Sequence, residues 1–245
     1  MQTAPGSRIV LLDLARTLAV IGMVIFHFTF DLQHFGHIAP DTTFQPFWYY
    51  FARLVAGSFL FLAGISLWLA HGRGIRWPAF WRRFAMVAGG AALVSVASIW
   101  VTPNGLILFG ILHAIAVCSL IGLLFLRLPA ALTILGAAAV FALPWWVQSP
   151  ALNAVWLVPL GLAETRPSMA DYVPVFPWLA PLLMGLALAR IADGAGLLSR
   201  LTGWPGQSPL LTRLSFPGRH SLIIYLLHQP ILIAGFMAAA MLSRP

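Results

Sequence analysis

Seven stretches of the chain carry apolar residues over the roughly 17 to 25 positions that a helix needs to cross a bilayer. They run over residues 9–32, 51–70, 84–101, 105–126, 128–147, 175–189 with its flanks, and 221–242. The expected fold is all-α: a polytopic integral membrane protein of about seven transmembrane helices, forming a single transmembrane domain over residues 1–245. The intervals are mostly too short for a second domain, the largest lying at 148–174 and 190–218, and no repeat or flexible linker interrupts them. The third and fifth spans are rich in Ala and Gly, which permits close helix packing, and Pro177 and Pro181 should bend the sixth.

Charge orients these spans, because arginine accumulates on the cytoplasmic side. With the N-terminus cytoplasmic, the inner segments collect Arg8, Arg73, Arg76, Arg82, Arg83, Arg127, Arg190, Arg200, Arg213 and Arg219. The outer segments hold only Arg53, Arg166 and Arg244, and an odd number of spans puts the C-terminus outside. Trp48, Tyr49, Tyr50, Trp100, Trp145 and Trp146 fall toward the outer ends, where interfacial aromatics anchor a helix. At 60% hydrophobic and 8% charged residues, the composition excludes an ordinary soluble enzyme. The 14 basic residues, all arginine, outnumber 6 acidic ones, yet they border the apolar runs and form no single patch. That arrangement points to anionic lipid and not to nucleic acid. The one cysteine, Cys118, sits inside an apolar run and excludes a disulfide scaffold or thiolate cluster. Asp13 and Arg16 interrupt what would otherwise look like a signal peptide, so the first segment is expected to be retained.

Polar residues inside these runs are the candidates for chemistry. His27, Asp31 and His34 are spaced i, i+4, i+7 and share one face near the outer end of the first helix. A carboxylate one turn from an imidazole can fix its tautomer and raise its basicity, as general-base catalysis needs. His37 and Asp41 follow in the outer loop, where they can fold back over the same mouth or simply reach headgroup water. Their spacing matches no strong metal motif, and no metal is expected. His113 and His228 each fall roughly 12 Å along their spans, near mid-membrane. At that depth an ionisable group marks a cavity or pathway, or is a neutral imidazole hydrogen-bonded across helices. Pro230 frees a backbone carbonyl for a ligand or for Gln229. Asp13 and Arg16, at i, i+3, can pair with each other or share an anion entering from the cytoplasm. Arg219, His220 and Ser221, after Pro217-Gly218, read either as a phosphate-binding helix start or as a capped helix with positive-inside charge. Arg53, Asp171 and Trp178 are the candidates for contacting a substrate at the outer mouth.

Several short motifs resemble a known family. They are Leu12-Asp13-Leu14-Ala15-Arg16, Met23 to His27, Phe30-Asp31-Leu32 with Phe35-Gly36, and Phe59-Leu60-Phe61-Leu62-Ala63-Gly64-Ile65-Ser66. Phe109-Gly110-Ile111-Leu112-His113, Phe176-Pro177-Trp178 and Tyr225-Leu226-Leu227-His228-Gln229-Pro230 complete the set. In this order and spacing they resemble the bacterial members of the heparan-alpha-glucosaminide N-acetyltransferase catalytic-domain family, over nearly the whole chain. The resemblance implies a multi-pass acetyltransferase of the bacterial inner membrane. It would take acetyl from cytosolic acetyl-CoA, a cosubstrate with no bound cofactor beside it, and deliver it to an amino sugar or other glycan on the far side. The catalytic histidine of the lysosomal relatives carries over to His34 or His37, with His27 where relatives can carry asparagine. This chain is shorter than those relatives and lacks their additional spans and large lumenal portion.

Joined to the residues, the resemblance implies entry of the CoA thioester past Asp13, Arg16 and Arg219, with His228 deeper. His34 or His37, assisted by Asp31, would deprotonate the acceptor, and His113 or Arg53 would stabilise the oxyanion or orient the thioester. The expected partners are membrane lipid, acetyl-CoA and the acceptor, with room for a homodimer. Two other classes fit the polar residues: a proton-coupled transporter or flippase relaying through His27, Asp31, His113 and His228, and a structural membrane subunit.

Overall fold

The structure, a computed structural model, describes residues 9–101, 106–165, 167, 169, 171–202 and 208–242. Arg8, Arg166 and Arg244 of the charge pattern lie outside the described residues. Ten α-helices are described: α1 (Val10–His34), α2 (Pro46–His71), α3 (Trp77–Val101), α4 (Ile111–Phe125), α5 (Ala130–Trp146), α6 (Val175–Gly194), α7 (Leu197–Thr202), α8 (Pro209–Leu214), α9 (Phe216–Arg219) and α10 (Ser221–Leu242). Among the described residues, strand pairing is confined to one bridge between Ser149 and Ala163. The protein is thus all-α, and α1, α2, α3, α6 and α10 are long and apolar enough to cross a membrane. With 15 and 17 residues, α4 and α5 are shorter apolar helices.

Helix starts depart from the apolar runs for local reasons. α2 begins at Pro46 and α3 at Trp77, earlier than the apolar runs themselves. Proline is tolerated in a first helical turn, and arginine propagates a helix well, so Pro46, Pro78, Arg82 and Arg83 extend the elements. α4 starts later, because Gly110 is extended at φ −96°, ψ −169°. His113 therefore stands in the first turn of α4 and not deep within a helix, which corrects the expected depth. In α6 the helical path breaks at Phe176 (φ −100°, ψ 125°), the residue before Pro177, where the proline ring disfavours the helical region. Pro181, by contrast, lies within the continuing helix.

The chain divides into two compact units, Met1–Ala56 with Arg200–Pro245, and Gly57–Ser199. In the second, Leu60, Leu182, Leu183 and Leu186 are fully buried. Here α2 and α6 cross on two glycines. A Cβ at Gly64 would strike the carbonyl of Leu182, and one at Gly185 would strike that of Phe61. Small residues allow such close backbone approach in apolar surroundings, where packing rather than water drives association. Arginines close the C-terminal ends of helices in this unit: Arg76 Nε donates to Ala70 O (3.0 Å), and Arg190 Nη1 to Leu126 O (3.2 Å) and Leu128 O (2.5 Å). Ala70 O and Leu126 O are carbonyls that a helix end leaves unpaired, and Leu128 O belongs to the turn between α4 and α5.

In the first unit α1 packs against α8, α9 and α10. Gly218 is required where α9 meets α1, since a Cβ there would strike Asp13 O. Its N–H donates to Thr17 Oγ1 (2.9 Å), and that hydroxyl lies 2.9 Å from Leu214 O and 3.0 Å from Asp13 O.

Candidate functional site

The last turns of α1 and the middle of α10 build a buried polar cluster in the first unit. One helical turn separates His27 from Asp31, which puts both on the face of α1 that meets α10. Asp31 is 2% exposed and His228 8% exposed. Gln229 Nε2 donates to Asp31 Oδ1 at 2.8 Å, so the carboxylate is held from α10, and the orienting partner is an amide and not an imidazole. The His228 ring packs edge-on against that of His27, centroids 4.8 Å apart. Its Nδ1 lies 2.6 Å from Tyr225 O. A carbonyl only accepts, so Nδ1 carries the hydrogen and Nε2 of the neutral ring is a lone pair. Asp31 Oδ2, His228 Nε2 and Gln229 Oε1 are all buried without a hydrogen-bond partner.

Beyond α1, His34 and His37 are exposed. His34 stacks near Phe30 (6.5 Å), while Phe35 and His37 both lie against Phe236 of α10 (5.1 and 5.8 Å). Gln33 Oε1 pins the following turn by accepting from Thr43 N (2.7 Å) and Thr43 Oγ1 (2.9 Å). Asp41 is exposed. The Arg53 guanidinium covers the Tyr49 ring at 3.3 Å and donates to Tyr49 O (3.2 Å).

At the start of α1, Asp13 lies between two guanidiniums. Arg16 Nη1 donates to Oδ1 at 2.8 Å, and Arg219 Nε lies 3.4 Å from Oδ2, an ion pair that falls short of a hydrogen bond. Arg219 thus turns toward α1, and the group keeps one net positive charge. His220 is exposed, with its ring against Phe216 at 4.3 Å.

In the second unit His113 is fully engaged. Its Nδ1 accepts from Gly110 N–H (3.2 Å), which leaves the hydrogen on Nε2, facing Ser95 Oγ at 3.3 Å. Ser95 Oγ in turn donates to Ile107 O (2.6 Å). Asp171 Oδ2 accepts from Ile111 N–H (3.1 Å), closing the start of α4 from a distant loop. Trp178, half-buried on the first turn of α6, faces Gly57. His71 is a buried imidazole that sequence reasoning passes over, because Ala70-His71-Gly72-Arg73 reads as a span border. Its Nδ1 accepts from Arg76 N–H (3.2 Å). It lines a partly open cleft with Arg83, Ser66 and Ser119. Among the described residues, no group of three or more His, Cys, Asp or Glu side chains is placed to hold a metal ion.

The family described as heparan-alpha-glucosaminide N-acetyltransferase, catalytic, matches residues 8–230. The chain belongs to this family. The match spans α1 through the His228-Gln229 pair of α10, so both polar clusters and the Asp13 group fall inside it. No curated protein and no solved structure matches the chain. The family name carries an acetyltransferase activity, and the apolar helices place it in a membrane.

Proposed function

We propose that the protein transfers an acetyl group from cytosolic acetyl-CoA to the amino group of an amino sugar, or to another glycan acceptor, on the far side of a bacterial inner membrane. All seven apolar helices cross the bilayer in this reading, with the N-terminus cytoplasmic, the C-terminus outside and the whole chain acting as one domain. The observation that carries it is the family match over residues 8–230. The residual positive charge of Asp13, Arg16 and Arg219 favours the phosphates of CoA at the cytoplasmic start of α1. At the other end of α1, His34 and His37 are exposed to solvent and free to take a proton from the acceptor as it attacks the thioester. The amine nitrogen bonds to the acetyl carbonyl carbon, the thioester C–S bond breaks, and CoA leaves as the thiol.

The test is CoA release from acetyl-CoA by purified protein in lipid nanodiscs, with amino sugars supplied as acceptors. Release should depend on the acceptor and fall at least about 100-fold in either His34→Ala or His37→Ala, whichever holds the base. Full turnover in both variants would remove the loop histidines from the chemistry. Absence of acetyl-CoA binding by the native protein would overturn the transferase reading in favour of transport through the buried histidines.

A further inference from the structure

We propose that Asp31, Gln229 and His228 form a seat for a primary ammonium group, and that Gln229 is the residue that positions it. Only the identity of the molecule carrying that ammonium, an amino sugar, rests on the acetyl-transfer reading. The seat itself follows from hydrogen-bond accounting. The Gln229 amide is oriented by its own bond, since Nε2 faces Asp31 Oδ1 and Oε1 must then be the free end. Tyr225 O fixes the hydrogen of His228 on Nδ1 and leaves a lone pair on Nε2. Asp31 contributes its second carboxylate oxygen. With Asp31 as the carboxylate, the three unpartnered atoms are all acceptors, and two of the three side chains are more than nine-tenths buried.

Such a set selects its ligand by what it lacks. Unpaired acceptors buried among apolar helices are costly, so the missing component is a donor. A carboxylate or phosphate brings no hydrogens and adds like charge. A hydroxyl brings one hydrogen and water brings two, without charge. An alkylammonium brings three hydrogens and a positive charge, one for each free lone pair and a counter-charge for Asp31. A hard divalent cation would find two oxygens and one nitrogen where it takes six or more oxygens, and zinc sites are built from Cys, His and carboxylate ligands, of which this set offers two and a glutamine amide. The bond between Gln229 and Asp31 lets Gln229 fix the carboxylate rotamer while presenting its own carbonyl, which makes it a positioning residue.

The test uses the full chain in nanodiscs without acyl donor, titrated with methylammonium, glucosamine, glucose and potassium chloride. Methylammonium and glucosamine should bind and raise the melting midpoint, whereas glucose and potassium at equal concentration should not. Asp31→Asn, which keeps the shape and removes the charge, should weaken both ammonium probes at least about tenfold, and Gln229→Leu should do the same in a chain that keeps Asp31. During turnover Gln229→Leu should raise the KM for the amino sugar about tenfold with the KM for acetyl-CoA unchanged, a split that a merely structural role would not give. Equal affinity of native and Asp31→Asn protein, equal binding of glucose and glucosamine, or displacement of methylammonium by potassium would each overturn the seat. Methylammonium binding in a protein that never turns over acetyl-CoA would keep the seat and sink the transferase reading. Turnover that survives in Asp31→Asn with unchanged acceptor affinity would sink the seat alone.

Discussion

His113 and His228 look alike in the sequence, each an imidazole set in an apolar run, but their surroundings differ in hydrogen bonding. Around His113 the circuit closes: Gly110 N–H, the imidazole, Ser95 Oγ and Ile107 O follow one another, and Ser98 Oγ accepts from Ile107 N (3.1 Å) while donating to Ser95 O (2.7 Å). Around His228 it stays open, with three buried acceptors lacking donors. Within lipid every polar group needs a partner, so a closed circuit is what a structural polar group looks like. An open one leaves acceptors that a molecule bringing hydrogen-bond donors would satisfy. In the proposed reading the open cluster of Asp31, Gln229 and His228 holds the acceptor for a base at His34 or His37, while His113 and Asp171 accept from Gly110 N–H and Ile111 N–H at the start of α4.

The largest effect that would break this contrast is on turnover. Asp31→Asn is expected to lower acetyl transfer at least about 100-fold in a nanodisc assay of CoA release. Its melting midpoint should be unchanged or higher, because the new amide brings donors to a cluster that has too few. The next effect is on stability. His113→Leu leaves Gly110 N–H without its acceptor and Ser95 without its donor, and should cost about 2 kcal/mol by denaturant unfolding in mixed micelles. Turnover per folded molecule should change little. The smallest is Asp171→Ala, which uncaps Ile111 N–H and should cost about 1 kcal/mol in the same unfolding measurement, again without a change in catalysis. A His113 variant of native stability would remove the structural reading of that circuit.

The helices were legible in the sequence because apolar length is a local property. α1 and α10 fall within two residues of their runs, and the late start of α4 reflects backbone at Gly110 that hydropathy does not encode. The site was legible in part. The spacing of His27 and Asp31 announces a shared face, and burial keeps them there, yet the partner of Asp31 comes from Gln229, 198 positions away. Asp13 likewise meets Arg219 only through the close seating of α9 on α1, which Gly218 permits. No periodicity carries such pairings. Glutamine also titrates nowhere, so a search for ionisable groups passes over the residue that organises the carboxylate. His71 escapes for the opposite reason, since a histidine beside Gly72 and Arg73 looks like loop chemistry until its burial is known.

The most direct test of the account is acetyl-CoA turnover with glucosamine, measured side by side for native protein, Asp31→Asn and His113→Leu in the same nanodiscs and normalised to folded protein. The account predicts that Asp31→Asn loses turnover and His113→Leu keeps it. Turnover retained in Asp31→Asn and lost in His113→Leu would contradict it, placing the chemistry in the closed circuit and leaving the open one to water.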